Sequence, residues 1–181
     1  MQATEIAPFP YPLGLGTDIC HIPRIRRILA NEKPQYAEQF AQKIFGPAER
    51  GEFNSRYQKL LQCKRDGLET VPASAIDSLV RDKYDQKLWQ LSSWVAGRFA
   101  AKEAAIKAVS PRRLKWHQAE VVVRAGQMKP LLVIHDAQSI QADGSATDGR
   151  SVRKRAAQLS ISHDGEYAIA TVLAVNDAPV S

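Results

Sequence analysis

Two carboxylates are the first candidates for chemistry, because each stands in a stretch that is otherwise apolar. Asp18 lies near the end of the apolar run at 13–19, and Glu103 lies in the middle of the alanine-rich run at 92–109. Two carboxylates that meet at one point suit Mg²⁺, a hard cation that completes its shell with water and phosphate oxygens. The alternative for Asp18 is that its carboxylate simply caps the next turn.

Basic side chains are the matching candidates for binding a phosphate, although their spacing alone specifies no site. They are Arg24, Arg98, Lys102, Lys107, Lys129 and His163. The sequence contains no GxxxxGK[ST], GxSxG, HExxH or CxxC motif, which argues against a P-loop, a hydrolase elbow, a zinc-protease helix and a cysteine-pair site. From the residues alone, a Mg²⁺–phosphate site is the hypothesis that remains.

The run at 92–109 predicts the helix that carries Glu103. At 100° per residue, large apolar side chains fall on one side and alanine and glycine on the other, which is typical of a helix packed on both sides. Lys102 falls within the large apolar stripe, and Lys107 follows Glu103 by one turn. An unpaired ion in the interior costs on the order of several kcal/mol, so these charges predict a partner, a metal or a ligand. The alternative is an internal Glu103–Lys107 pair.

The remaining elements must position these residues. The patterns predict a strand at 13–19, helices at 23–29 and across 36–62 with a break at Gly46-Pro47, a weakly helical segment at 76–91, and strands at 121–124, 131–135, 158–163 and 167–175. Ser92 or Ser93 is the predicted N-cap of the central helix. Asp164-Gly165 between the last two strands is a strong hairpin signal. The sum is an α+β domain, a mostly antiparallel sheet packed on a long central helix.

Length and composition predict one globular domain. The 181 residues suffice for a single core. We expect an irregular arm at 1–12 and one domain at 13–177, with an insertion or lid near 63–90 and a further insertion near 136–155. No apolar run reaches the ~20 residues that span a bilayer, so no membrane association is expected. The two cysteines fit neither a metal site nor a disulfide framework, which favours a reducing compartment.

The charge balance leaves two classes of function open. A formal charge of +6 and a pI of about 9.4 favour anionic partners. One possibility is an enzyme that handles phosphates, and the alternative is a non-catalytic basic module that binds nucleic acid or an acidic protein. Basic residues with interleaved aromatic residues, which would indicate base stacking, are not found, so nucleic acid is the less expected partner.

Three segments resemble the holo-acyl-carrier-protein synthases, the short single-domain 4′-phosphopantetheinyl transferases. They are GLGTDI at 14–19, RFAAKEAAIKA at 98–108 and SISHDGEYAIA at 160–170. The segment MKP at 128–130 is similar to the GKP hairpin of that family, with Met128 where glycine is usual. The resemblance covers about 13–53 and 94–175. It implies the 4′-phosphopantetheinyl transferase fold and assembly as a homotrimer, with the site between subunits.

The resemblance also implies a reaction. The 4′-phosphopantetheine arm of coenzyme A, the co-substrate, is moved to a serine of an apo acyl carrier protein, as in fatty acid biosynthesis. Mg²⁺ is required, and adenosine 3′,5′-bisphosphate is released. The carrier protein would dock on the arginines of the 23–29 helix. A eukaryotic member would act in the mitochondrial matrix, and any other member in the cytoplasm.

By motif position, the resemblance assigns a role to each candidate. Asp18 and Glu103 would hold Mg²⁺ against the coenzyme A pyrophosphate, and Lys107 would contact its phosphates, so Glu103 and Lys107 are the expected catalytic residues. Arg98 and Lys102 would bind coenzyme A phosphates or support that wall of the pocket. The adenine or 3′-phosphate side would be lined from a neighbouring chain by Lys129, Ser162 and His163. Glu103 and a metal-bound water remain alternative bases for the serine proton.

Overall fold

The protein is represented by a computed structural model that describes residues 11–69, 76–110, 113–124, 126–136 and 153–175. Nearly all of the arm expected at 1–12 and most of the insertion expected at 136–155 lie outside the described residues. The division into one domain with insertions stays a prediction.

A five-stranded antiparallel sheet forms one layer of the described structure. Its strands are β1 (Leu13–His21), β2 (Ala119–Val122), β3 (Leu131–Asp136), β4 (Arg153–Asp164) and β5 (Tyr167–Val175). Their spatial order is β1-β5-β4-β3-β2, so the first and last strands of the chain are neighbours near one edge. The predicted antiparallel sheet is confirmed, and each strand was anticipated from its apolar run.

One long helix covers the inner face of this sheet, and the other helices of the described residues pack against it or against one another. The helices are α1 (Ile22–Leu29), α2 (Gln35–Ile44), α3 (Pro47–Glu69) and α4 (Ile76–Ala108), followed by a 3₁₀ turn at Trp116–Gln118. Gly46 separates α2 from α3, as its pairing with Pro47 predicted. Helix α4 packs against β1 and β5 and also against α1 and α3, which confirms a central helix packed on both sides. None of the helices in the described ranges is both long and apolar enough to cross a bilayer.

The start of the central helix was predicted wrongly. Helix α4 begins at Ile76, and Ser92 and Ser93 lie inside it. Instead of capping an end, their hydroxyls donate to the carbonyls of Leu88 and Trp89 at 2.6 and 2.9 Å, which satisfies the serines without interrupting the helix. The segment at 76–90 is therefore continuous with the central helix, and the buried Leu88 places part of it in the core.

Strand β1 lies unusually close to α4 at two glycines. A Cβ built on Gly14 would lie 1.7 Å from the carbonyl oxygen of Ala108, and one on Gly16 would lie 2.0 Å from that of Ala104. Strand β1 pairs with β5 residue for residue from Leu13 to His21, so the glycines mark a close backbone approach and not a bulge. This approach fixes the position of β1 along the helix.

The predicted β4–β5 hairpin is present, but its loop is displaced by one residue. Asp164 pairs with Tyr167, so the two loop residues are Gly165 and Glu166. Gly165 has φ +51°, a conformation that glycine adopts at little cost at the first position of a tight hairpin loop. The carbonyl of Glu166 accepts the backbone N–H of Ile22 at 2.8 Å, which ties this hairpin to the start of α1.

Candidate functional site

Asp18 lies on the face of β1 that meets α4. Residues 14, 16 and 18 alternate onto this face, and Gly16 is in contact with Ala104, the neighbour of Glu103. The ammonium of Lys107 donates to Oδ1 of Asp18 and to the carbonyl of Thr17, both at 2.8 Å. Asp18 therefore does not act merely as a cap, and the ion pair of Lys107 is with Asp18 rather than with Glu103.

Glu103 is half-buried beside this junction. Its Oε1 accepts a hydrogen bond from the indole Nε1–H of Trp116 at 2.6 Å. Its Oε2 has no hydrogen-bond partner among the residues that the structure describes. Lys107, which reaches Asp18, lies one turn further along α4 than Glu103.

Lys102 has a different environment from its neighbour Glu103. Its side chain is fully buried, and its ammonium donates to Oε2 of Glu49 at 2.6 Å, to the carbonyl of Trp116 at 3.1 Å and to the carbonyl of Ala119. Burial lowers the pKa of Lys102, and the Glu49 carboxylate opposes that shift. The partner that the sequence required is thus Glu49. Of the two roles implied for Lys102, support of the wall fits this position, because its donors are directed at protein acceptors.

Arg98 lies on the α3 side of α4. Its guanidinium stacks 3.8 Å from the ring centroid of Trp94 and lies 4.0 Å from the Glu49 carboxylate and 3.5 Å from that of Glu52. Burial lowers its pKa, although both carboxylates act in the opposite direction. Its buried Nε has no hydrogen-bond acceptor in the described part of the chain, so this residue retains an unused donor.

The three residues implied for the second half of the site do not share one place in a single chain. The His163 ring packs on the backbone of Gly97, next to Arg98, and its Nε2 lies 3.0 Å from the carbonyl of Ser93. Ser162 alternates to the outer face of the sheet, and Lys129 is exposed between β2 and β3. The chain thus pairs Lys107 with Asp18, one helical turn from Glu103, whereas His163 packs on Gly97 and Arg98 faces α3.

The donors at the β1–α4 junction fit a magnesium ion. Two carboxylates and the Thr17 carbonyl are hard oxygen donors, and the ammonium of Lys107 shows that Asp18 already accepts a cation. The described ranges contain no group of three or more histidine, cysteine or acidic side chains that could hold a metal. Two carboxylates without a third match Mg²⁺, which is commonly held by one or two carboxylates together with water and substrate phosphates.

Sequence reasoning missed two residues of this region, Glu49 and Trp116. Glu49 is 3% exposed, and besides Lys102 it accepts the backbone N–H of Val121 at 3.2 Å. Neither residue belongs to a recognisable motif. The one available signal was that Lys102 lies in an apolar stripe and so requires an anionic partner. This signal does not identify which acidic residue is the partner.

Comparisons with known proteins identify relatives along most of the chain. A family model described as the 4′-phosphopantetheinyl transferase superfamily matches residues 14–172. A mitochondrial 4′-phosphopantetheinyl transferase B of Aspergillus fumigatus is 35% identical over 173 residues, covering 94% of this chain and 98% of the relative. A holo-[acyl-carrier-protein] synthase of Anaeromyxobacter dehalogenans is 31% identical over 169 residues, covering 92% and 98%.

Two solved structures share the fold. One is a holo-(acyl-carrier-protein) synthase from Bacillus anthracis in complex with CoA (3′,5′-ADP), with a TM-score of 0.50 and 24% identity over 91% of this chain and 96% of that one. The other is a holo-ACP-synthase from Plasmodium yoelii, with a TM-score of 0.50 and 22% identity over 91% and 94%. They confirm the expected fold.

Proposed function

The chain belongs to the 4′-phosphopantetheinyl transferase superfamily and is a transferase of that class, and we propose that it uses Mg²⁺ to move the 4′-phosphopantetheine arm of coenzyme A to a serine of an apo acyl carrier protein. Adenosine 3′,5′-bisphosphate is the second product. The observation that carries the proposal is the ion pair of Lys107 with Asp18 where β1 crosses α4, because Glu103 lies one turn before Lys107 on that helix. Membership in this family favours the enzyme over a non-catalytic basic module.

The residues of the junction suit phosphoryl transfer, in which positioning and charge neutralisation supply most of the catalysis. Asp18 and Glu103 would hold Mg²⁺, which would supply positive charge against the pyrophosphate. Lys107, already beside Asp18, turns its half-exposed ammonium to a phosphate oxygen. The serine oxygen forms a bond to the phosphorus of the arm while the bond to the nucleotide phosphate breaks. Its proton passes to a base, for which Glu103 is one candidate.

The outer face of the sheet supports a homotrimer with the site between subunits. Large apolar side chains of β1 and β5 remain exposed there, and they are Leu13, Leu15, Ile19, Tyr167, Ile169, Leu173 and Val175. An exposed apolar surface of this extent indicates a protein interface. Ser162 lies on the same outer face, so a neighbouring chain can receive it. In this arrangement Ser162, His163 and Lys129 line the adenine or 3′-phosphate side, and Arg98 binds a phosphate.

A pocket of about 490 Å³ between α1 and α2 is the proposed docking face for the carrier protein. Its rim carries Arg24, Arg27 and Lys43, and its floor includes Tyr36 and Phe40. This combination fits an acidic helix with an apolar stripe. Among the arginines expected to dock the carrier, Arg26 differs, because it pairs with Asp85 of α4 at 2.7 Å.

The mitochondrial relative from Aspergillus fumigatus supports a mitochondrial location for this protein. The alternative is the cytoplasm. Fractionation of cells that express the full-length tagged protein decides between them, and recovery with soluble cytoplasmic markers alone would contradict a mitochondrial location.

The proposed activity is tested by intact-protein mass spectrometry. The purified protein, coenzyme A and a panel of apo acyl carrier proteins are incubated with Mg²⁺ or with a chelator. We expect one carrier to gain the mass of a single phosphopantetheine arm in the presence of Mg²⁺ alone. A carrier panel that stays unmodified with Mg²⁺ would refute the proposed transfer, and equal modification with the chelator would refute the metal requirement.

A further inference from the structure

The indole of Trp116 is the closest protein partner that the structure gives to the Glu103 carboxylate. The Nε1–H of Trp116 donates to Oε1 at 2.6 Å, a short distance for a bond between a neutral donor and a carboxylate. An indole is a donor only, so it has no other hydrogen bond to offer this site. The bond uses one carboxylate oxygen and leaves Oε2 as the oxygen available to a cation.

Trp116 is itself held from several sides. Its backbone carbonyl accepts from Lys102, the residue that precedes Glu103 on α4. Its ring lies 6.1 Å from the Phe99 ring, measured between centroids, and the ammonium of Lys43 lies 5.1 Å from the ring centroid. Lys102 and Glu103, which are consecutive on α4, thus hydrogen-bond to the backbone carbonyl and to the indole of Trp116, respectively. The indole is therefore a fixed donor and not a mobile one.

We propose that Trp116 is a positioning residue that sets the orientation of the Glu103 carboxylate so that Oε2 faces the cation. This inference rests on the proposed function. A free glutamate side chain has three rotatable bonds, and a fixed donor on Oε1 removes most of that freedom before the metal binds. Hydrogen bonds to ligating carboxylates commonly tune metal affinity, and their loss typically costs about 10- to 100-fold.

The hydrogen bond is tested first in the absence of any reaction. Each of the three tryptophans gives one indole N–H resonance in a nitrogen–proton NMR spectrum, and Trp116→Phe identifies the resonance of Trp116 by its loss. We expect Glu103→Ala to shift this resonance upfield, because the acceptor is removed, while the Trp89 and Trp94 resonances stay in place. Glu103→Gln retains an oxygen acceptor and should shift it less. An unmoved Trp116 resonance in Glu103→Ala would overturn the proposal.

The functional consequence is tested by titrating Mg²⁺ in the transfer assay. Trp116→Phe keeps an aromatic ring against Phe99 but removes the donor, so the Mg²⁺ concentration for half-maximal rate should rise about 10- to 100-fold. The KM for coenzyme A at saturating Mg²⁺ should change little. Trp89→Phe is the matched control, because it makes the same exchange at a tryptophan of α4 that does not hydrogen-bond to Glu103, and it should leave the Mg²⁺ dependence unchanged. Melting temperatures establish that both variants fold.

The outcomes separate this inference from the proposed function. A folded Trp116→Phe protein with the Mg²⁺ dependence of the wild type would overturn the role of Trp116 while leaving the transferase intact. A wild type that transfers no arm would refute the proposed function. In that case, the NMR spectrum of the wild-type protein is recorded before and after addition of Mg²⁺ and coenzyme A. A shift of the Trp116 indole resonance supports the positioning role of Trp116, and an unchanged resonance refutes that role.

Discussion

At the scale of single residues, Lys102 and Glu103 are adjacent on α4 and differ in environment. The turn of about 100° between successive helical residues directs Lys102 into the interior toward Glu49, and Glu103 to a half-buried position beside Trp116. The first charge stabilises the packing of α3 and of the loop that carries Trp116. The second is free to take part in ligand binding. One helix thus supplies a structural cation and a candidate metal ligand side by side.

Glu49→Gln should lower the free energy of unfolding by about 3–5 kcal/mol, because it leaves the Lys102 ammonium buried without an opposite charge. The measurement is chemical denaturation at pH 7. Glu52→Gln is the matched control, since the Glu52 side chain is 43% exposed and its pairs with arginine contribute at most about 1 kcal/mol. Equal stabilities of the two variants would contradict the assigned role of the Lys102–Glu49 pair.

The same variant carries a prediction about pH. Burial lowers the pKa of Lys102 in the folded protein, and removal of the Glu49 carboxylate should lower it further. Consider a pH above the folded-state pKa of Lys102 in the variant and below the folded-state pKa of Lys102 in the wild type. At such a pH the unfolded variant binds one proton more than the folded variant. Stability of the variant therefore rises with pH in this window while that of the wild type does not. The difference in the free energy of unfolding between the wild type and Glu49→Gln should shrink from pH 7 to pH 10. A difference that grows over this range would contradict the prediction.

At the scale of single residues, the sequence predicted that Lys102 needs an opposite charge, but it did not predict which residue supplies that charge. Lys102 in an apolar stripe required an opposite charge, yet Glu49 is separated from it by 53 positions, and several other acidic residues lie at similar separations. The Trp116–Glu103 bond was equally inaccessible, because it depends on where the loop after α4 turns back. The outward position of Ser162 followed directly from strand alternation.

At the scale of elements, the contact between β1 and α4 creates the site. Gly14 and Gly16 let the strand lie against the carbonyls of the helix, which brings Asp18 within reach of Lys107. Any larger residue at these glycines would separate the two elements. The position of Asp18 along α4 is therefore a consequence of backbone packing rather than of side-chain choice.

Gly16→Ala should lower the free energy of unfolding by about 3 kcal/mol or more, because its Cβ would overlap a helix carbonyl that cannot move without displacing the chain. Gly51→Ala is a matched control, since its Cβ would meet nothing within 4 Å in α3. That exchange should stabilise the protein by up to about 1 kcal/mol. Thermal and denaturant unfolding of both variants check this, and a Gly16→Ala protein as stable as the wild type would contradict the close approach.

Periodicity predicted the type and order of the elements well, but not their ends. The central helix was shortened because Ser92 and Ser93 are good N-caps in isolation, and only the structure shows their hydroxyls bonded back to the preceding turn. The β4–β5 loop was shifted by one residue because Asp-Gly and Gly-Glu both suit tight turns. Such local choices are settled by tertiary packing, which a single sequence does not contain.

At the scale of the whole molecule, the outer face of the sheet is the feature that a lone chain leaves unexplained. Leu15 is 69% exposed and Ile19 57% exposed, on the strand whose other face carries Asp18. A trimer would cover these side chains and would bring Ser162 of one chain toward another. The outer face of the sheet would then both hold the trimer together and contribute to the coenzyme A site.

Leu15→Glu should disrupt the assembly, because it places a charge in the proposed interface at a position where the isolated chain is not disturbed. Sedimentation equilibrium should give three times the 20.1 kDa chain mass for the wild type and a lower mass for the variant. The KM for coenzyme A should rise as well. Tyr36→Glu, which alters the α1–α2 pocket instead, should remain trimeric and raise the KM for the carrier protein. A monomeric wild type with full activity would contradict the shared site.

The central claim is that Asp18 and Glu103 together hold the cation against the coenzyme A pyrophosphate. Its most direct test is the Mg²⁺ dependence of carrier modification in Asp18→Ala and Glu103→Ala, with the exposed Glu166→Ala as control, each followed by intact mass. The account predicts that both site variants fold and lose at least about 100-fold in rate, since one bound charge contributes several kcal/mol to phosphoryl transfer, while the control retains the wild-type rate. Near-normal rates and unchanged Mg²⁺ dependence in both site variants would contradict it.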